Sequence, residues 1–228
     1  MLAFAAVVVG IGIVVLRAPK HGFDREDALH IVTWTVVAGF VGSHVFSEIA
    51  WYPDRVREDP LVLLRLWGTM SSFGGIAGGI LGGWIVLWRE GRSRAEMLRF
   101  IDAVAFAFPF AWIFGRGGCA LAHDHPGIAS SHWLAVRFPE GPHFDLGLLE
   151  LLYTIPIAAA FLVLDRKPRP SGFYVGLFFT LYAPARFALD ELRIDEVLYL
   201  GWTPSQYFCV VMAVLGLVAL RAAAKSDR

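Results

Sequence analysis

The sequence predicts an all-α membrane protein with about seven transmembrane helices and a small head loop on its outer face. Three observations carry this. Of the 228 residues, 57% are hydrophobic and only 18% charged, against roughly 25% charged in soluble domains, and the mean hydropathy is +0.57. Apolar runs near the roughly 20 residues that a bilayer requires recur between short polar loops. The cations, finally, concentrate on alternate loops.

The opening run from Met1 to Leu16 lacks a basic segment before its apolar stretch and a small-residue cleavage site, so it reads as a short first span and not as a signal peptide. Further spans are expected at 28–52, 69–88, 99–116, 146–165, 173–189 and 204–222, forming one domain over residues 1–228. The third carries Ser71, Ser72 and a series of glycines. Gly78, Gly79, Gly82 and Gly83 give it a face suited to close helix packing. Cys119 and Cys209 are the two cysteines, and the second sits in an apolar helix, so no disulfide is expected.

Lys plus Arg and Asp plus Glu both number 20, so net charge gives no indication of a nucleic-acid partner. The arrangement of charge is more informative. Arg17, Lys20, Arg25, Arg89, Arg92, Arg94, Arg99, Arg166, Lys167, Arg169, Arg221, Lys225 and Arg228 fall on one side of the predicted spans, 13 in all. Arg55, Arg57, Arg65, Arg137 and Arg193 fall on the other. The positive-inside rule then sets the C-terminus in the cytoplasm and the N-terminus outside. The longest connection, 117–145, lies outside and reads as an irregular lid or head over the helix ends.

Ionisable residues within spans cost about 2.5–3.5 kcal/mol each at the bilayer centre on insertion scales, so they mark functional sites or structural ion pairs. His44 and Glu48 are four apart, as are Arg186 and Asp190, which puts each pair on one helical face. Arg116 closes the fourth span and Glu150 opens the fifth. In the predicted topology all six converge toward the outer face. Two arginines at a lipid-accessible cavity suit a phosphate group, because the guanidinium fork donates paired hydrogen bonds and keeps its charge in a low dielectric. The alternative is that Arg186 with Asp190, and Arg116 with Glu150, are ion pairs that hold the bundle together. Asp102, on the cytoplasmic side of its span, reads as a helix-end residue.

The outer loop also holds His123, Asp124, His125, His132 and His143. Their spacing lacks the helical His-Glu-x-x-His pattern of zinc hydrolases, so no metal and no cofactor is expected.

Read in order, these motifs resemble the prolipoprotein diacylglyceryl transferase family over nearly the whole chain. Phe114-Gly115-Arg116-Gly117-Gly118-Cys119 is similar to the family's Gly-Arg-x-Gly-Asn signature. Asp59-Pro60-Leu61 through Trp67, followed by Met70-Ser71-Ser72-Phe73-Gly74-Gly75, resembles a segment that ends Met-Ser-Phe-His-Gly-Gly. Glu150 matches the Glu closing the run His-Pro-Ser-Gln-Leu-Tyr-Glu, and Arg166 through Gly172 matches a basic loop with a following glycine. Arg186, Asp190 and Arg193 resemble Arg-x-x-x-Glu-x-x-Arg, and Thr203-Pro204-Ser205-Gln206 stands where the family has a Gln opening its last helix.

The resemblance implies a seven-helix enzyme of the bacterial inner membrane that moves the diacylglyceryl group of phosphatidylglycerol to the lipobox cysteine of a preprolipoprotein. It implies catalytic roles for Arg116, Arg186 and Glu150, with His44, His123 or His125 as the base. Substrate-binding roles fall to Gly74, Gly75, Gly115, Gly118, Asp190, Glu48 and Arg193. The chain departs from the pattern at Phe73, where the family has its histidine, at Cys119, where it has Asn, and at Phe144 to Leu149, which replace the polar run before Glu150. His44 replaces an arginine, the family's amino-terminal His and Tyr segment is absent, and the outer head is shorter. Two alternatives follow from these departures: a noncatalytic lipid- or partner-binding relative, or a transferase with a different acceptor.

Overall fold

The computed structural model describes residues 1–194 and 196–226. Asp195, Asp227 and Arg228 lie outside the described residues, and with them one of the 13 cations. The helices are α1 (Leu2–Arg17), α2 (Arg25–Trp51), a short α3 (Pro53–Glu58), α4 (Ser72–Arg89), α5 (Arg94–Ala122), α6 (Leu146–Leu164), α7 (Phe173–Asp190) and α8 (Pro204–Ser226). Among the described residues, five segments are long and apolar enough to cross a membrane: Leu2–His21, Arg25–Trp51, Arg94–Ala122, Leu146–Leu164 and Pro204–Lys225. The other two long helices, α4 and α7, are less apolar for different reasons. The first is rich in glycine, and the second carries Arg186 and Asp190.

Burial is inverted relative to a soluble protein. Phe4, Trp34, Phe40, Leu81, Leu162 and Val218 are exposed, whereas His44, Glu48, Arg116, Glu150, Arg186 and Asp190 are buried. Large apolar side chains on the outside and paired charges within are what a lipid solvent selects. The protein is a helical membrane protein.

Contacts divide the chain into two compact units, Val14–Ile101 and Met1–Ile13 together with the chain from Asp102 onward. In the first, α2 and α4 meet through small residues. A Cβ added at Gly42 would stand 2.7 Å from the Gly74 carbonyl oxygen and 2.8 Å from Gly78 Cα. One at Gly78 would stand 2.6 Å from the Ala38 carbonyl oxygen. The predicted glycine face thus serves close packing. At one end of this unit Arg92 bonds Asp27 and lies near Glu90 and Glu96, each at 3.6 Å.

In the second unit α7 carries a buried row at every fourth residue: Tyr174, Phe178, Tyr182, Arg186 and Asp190. Fourfold spacing keeps such a row on one slowly turning face. Its aromatic half packs inward, Phe178 stacked on Tyr182 and Tyr174 edge to face with Phe106, each at 4.9 Å between ring centroids. Its polar half continues the same face. Behind it α7 meets α8 through Gly176 and Gly216, where an added Cβ would fall 2.9 Å from Leu220 N and from Thr180 N respectively. Asp102 is buried, and its Oδ1 accepts from Val175 N–H at 2.9 Å. It therefore satisfies an open donor in the first turn of α7, where Gly172 provides no side-chain cap.

The segment expected to be an irregular lid differs in two ways. Helix α5 continues to Ala122, because Gly118 at the expected break is held against α1, an added Cβ lying 3.3 Å from Leu2 Cβ. Beyond it β1 (Pro126–Ala129), β2 (Ala135–Phe138) and β3 (Gly141–Asp145) form an antiparallel sheet in the order β1-β3-β2. Phe138 pairs with Gly141 across the Pro139-Glu140 turn. Gly127 bridges to Arg193, and Ile128 N–H donates to the Leu192 carbonyl, which ties the sheet to the chain leaving α7. These strands are only four or five residues long, too short for the period-two pattern to show in the sequence.

Candidate functional site

The second unit gathers four of the predicted residues around one carboxylate. Glu150, in the second turn of α6, is 3% exposed. Its Oε1 accepts from Trp112 Nε1 at 2.8 Å and from the Tyr182 hydroxyl at 2.5 Å, and stands 3.0 Å from Arg116 Nε. Its Oε2 is 3.9 Å from Arg186 Nε. Arg186 in turn donates from Nη1 to Asp190 Oδ1 at 2.5 Å, and Asp190 Oδ2 accepts from the Thr203 hydroxyl. Arg193 Nε lies 3.9 Å from Asp190 Oδ1 and also bonds Glu196.

Two guanidinium groups therefore flank a single carboxylate inside the helix bundle. Unpaired, each of these ions would carry a desolvation penalty of several kcal/mol, and pairing offsets that cost only with good geometry and further hydrogen bonds. The further bonds come from Trp112, Tyr182 and Thr203. Arg116 also lies 4.6 Å from the Trp112 ring, a cation–π contact on its own helix one turn back.

Tyr182 and Trp112 were not among the residues singled out in the sequence, and Thr203 entered only within the motif that opens the last helix. Tyr182 and Trp112 each precede an arginine by four residues, the spacing that placed Asp190 with Arg186, and that signal was available. Thr203 and Gln206 form a reciprocal cap on α8: Gln206 N–H donates to Thr203 Oγ1 at 3.1 Å and Thr203 N–H to Gln206 Oε1 at 3.0 Å. Tyr182 thus brings a phenol hydroxyl from α7 to Glu150.

In the first unit, His44 and Glu48 are both fully buried. His44 Nδ1 lies 3.1 Å from the Thr69 carbonyl oxygen and Nε2 lies 2.9 Å from that of Val62. Both ring nitrogens thus face carbonyl oxygens of the 62–69 connection, which His44 clamps. Glu48 Oε1 accepts from the Thr69 hydroxyl at 2.8 Å and lies 3.6 Å from Arg55 Nη2, while Oε2 has no hydrogen-bond partner among the described residues.

The four glycines expected at the site have packing neighbours. Gly74 abuts Gly42 and Phe46, Gly75 faces Gly39 and Ser43, Gly115 faces Ala6, and Gly118 abuts Leu2. Phe73, at the position of the family histidine, is 1% exposed.

At the far end of α5, His123 Nδ1 is 2.6 Å from Asp145 Oδ2, and Asp145 Oδ1 accepts from Leu148 N–H at 3.0 Å as the cap of α6. Cys119, Asp124 and His125 bring polar atoms within 4.8 Å of one another. Asp124 is exposed and bonds His125, and Arg116 Nη1 stands 4.0 Å from the Cys119 sulfur. With a cation already beside the thiol, the group reads as a hydrogen-bonded turn.

The chain is similar in sequence to several known proteins. A relative from Nitratidesulfovibrio vulgaris, named phosphatidylglycerol–prolipoprotein diacylglyceryl transferase, is 30% identical over 213 residues, which cover 87% of this chain and 78% of the relative. A protein of the same name from Polynucleobacter asymbioticus is 28% identical over 233 residues, covering 97% of this chain and 88% of its own. One from Frankia alni is 30% identical over 239 residues, and there the match covers 97% of this chain but only 62% of the longer relative. The family model for prolipoprotein diacylglyceryl transferase matches residues 1–222, and with that match over the buried arginine and carboxylate cluster, the chain belongs to the prolipoprotein diacylglyceryl transferase family.

Proposed function

We propose that this protein transfers the diacylglyceryl group of phosphatidylglycerol to the thiol of a lipobox cysteine in a preprolipoprotein, with Arg116 and Arg186 gripping the phosphate. The carrying observation is the pair of buried guanidinium groups held on either side of Glu150. Arg116 Nε stands 3.0 Å from Glu150 Oε1 without a hydrogen bond, and Nη1 makes only a long contact with the Cys119 sulfur. Its fork therefore retains donors for phosphate oxygens. Glu150 and Asp190 orient the two forks, and Arg193 extends positive charge toward the sheet.

Attack of a thiolate on the glyceryl carbon expels glycerol phosphate, whose negative charge grows as the bond breaks. Fixed cations in a water-poor site stabilise that growing charge strongly, because nothing need reorganise as it forms. The same field favours the incoming thiolate. Seven spans, a cytoplasmic C-terminus and a site toward the outer face of the bacterial inner membrane complete the reading, supported by the asymmetry of 13 cations against five.

The test is transfer of radiolabelled diacylglyceryl from phosphatidylglycerol to a lipobox peptide by the purified protein, beside Arg116→Ala and Arg186→Ala. Label on the peptide cysteine that is lost in both variants is the expected result. An unlabelled peptide, with arginine-dependent lipid binding retained, would overturn this acceptor and point to a transferase with another.

A further inference from the structure

Resting on that transfer reading, we infer that His123, oriented by Asp145, is the general base that takes the proton from the acceptor thiol. The family's histidine position is Phe73, which cannot take a proton. His44 has both ring nitrogens on carbonyl oxygens. His125 pairs with its neighbour Asp124, whose side chain is 52% exposed, so solvent screens the pair.

His123 is held differently. Its partner Asp145 is fully buried, and the second oxygen of that carboxylate is fixed by the first turn of α6. A carboxylate only accepts, so the proton of the neutral ring sits on Nδ1 and the lone pair on Nε2. The His123 side chain is 49% exposed, which leaves it open to a peptide arriving from water.

Its place relative to the arginines follows from the helices. Arg116–Glu150 and His123–Asp145 are two successive links between α5 and α6, at 3.0 and 2.6 Å. Arg116 lies in the last two turns of α5, and His123 is the first residue beyond that helix, at the same end. Asp145 caps α6 and Glu150 lies in its second turn, so the two carboxylates stand at the same end of that helix. The chain leaves α5 at His123 with φ +51°, a left-handed conformation that turns it aside at this level. The groups facing the imidazole are Asp145 from α6, the Phe138 ring from β2 at 5.7 Å, and its chain neighbours Asp124 and His125.

In the step so assigned, the thiol proton passes to His123 Nε2 and the sulfur electron pair forms the S–C bond to the glyceryl carbon. The C–O bond to phosphate breaks, and its electron pair leaves with glycerol phosphate toward Arg116 and Arg186. Asp145 stabilises the imidazolium until it releases its proton to water.

The experiment is steady-state transfer to the lipobox peptide across a pH series, with the full chain, His123→Ala, Asp145→Asn and Arg116→Ala. His123→Ala is expected to lower kcat about a hundredfold at neutral pH while KM for the peptide changes by less than about twofold. The deficit should narrow as pH approaches the ordinary thiol value of about 8.5, and added imidazole should restore part of the rate. Asp145→Asn keeps an acceptor for Leu148 N–H but not the carboxylate, and should lower kcat about tenfold with the same pH trend. Near-full activity in His123→Ala beside an inactive Arg116→Ala would overturn the base and leave the transfer reading standing. So would an equal loss at every pH with no imidazole rescue. No label with the unsubstituted chain would remove both.

Discussion

Arg116 Nε and Glu150 Oε1 stand 3.0 Å apart inside the bundle, one at the end of its predicted span and the other at the beginning of the next. Thirty-three residues of chain lie between them, including the whole sheet, yet the pair is nearly closed to solvent, at 8% and 3% exposure. Buried ion pairs of this kind contribute little net stability, but losing one partner is expensive.

Replacing Glu150 should therefore cost more than its own contacts suggest. Glu150→Ala leaves Arg116 and Arg186 facing each other without the intervening carboxylate, and should destabilise the protein by about 3–5 kcal/mol. Thermal unfolding in detergent reads this directly. A loss under about 1 kcal/mol would show that the arginines find other partners.

Tyr182→Phe removes a single hydroxyl that donates to Glu150 at 2.5 Å. Hydrogen bonds to charged groups contribute about 1.5–3 kcal/mol, so a stability loss in that range is expected. The ring keeps its stack on Phe178. Transfer activity should fall as well, because Glu150 loses one of the donors that orient it toward Arg116.

The α2–α4 contact makes a clean comparison of glycines. Gly42→Ala places a methyl against the backbone of α4, which cannot yield as a side chain would, and should destabilise by about 1–3 kcal/mol. Gly12→Ala in α1 meets nothing within 4 Å and should be neutral or stabilise by up to about 1 kcal/mol. Equal melting temperatures for the two variants would show that the close approach carries no energetic weight.

Asp102 joins α5 to α7, its Oδ1 accepting from Val175 N–H. Asp102→Ala should cost about 1–2 kcal/mol, in the range of a lost helix cap, whereas Asp102→Asn retains an acceptor and should recover most of it. Unfolding of the two variants side by side distinguishes the cap from simple loss of volume.

Single cysteines test the orientation, in a background with Cys119 and Cys209 replaced by serine. One at Glu140, in the β2–β3 turn, should react with a membrane-impermeant maleimide applied outside intact cells. One at Gly91, beside Arg89 and Arg92, should react only after the membrane is opened. The reverse pattern would invert the topology.

Much of this was legible in the sequence, and the reason differs by feature. Helix positions followed from hydropathy: the expected span 146–165 is α6 at Leu146–Leu164, and 173–189 is α7 at Phe173–Asp190. A bilayer imposes length and apolarity on each segment separately, so local composition is sufficient. The pairing of Arg186 with Asp190 was visible for the same kind of reason, since helical spacing alone brings residues four apart together. The glycine face of α4 was visible as a pattern, although its partner, the Ala38 to Gly42 stretch of α2, was not.

What only the tertiary structure decided are the relations between segments far apart in the chain. The two nitrogens of His44 are occupied by carbonyls at positions 62 and 69, which no spacing rule connects to position 44. Asp102 caps a helix that begins more than 70 residues later. His123 is one histidine among several until Asp145 fixes its Nδ1. A side chain's chemistry depends on which hydrogen-bond partners it meets, and here those partners are chosen by helix packing and by a small sheet whose strands leave no clear pattern of their own. The residue types belong to the sequence, but what a histidine can do depends on what stands against each ring nitrogen.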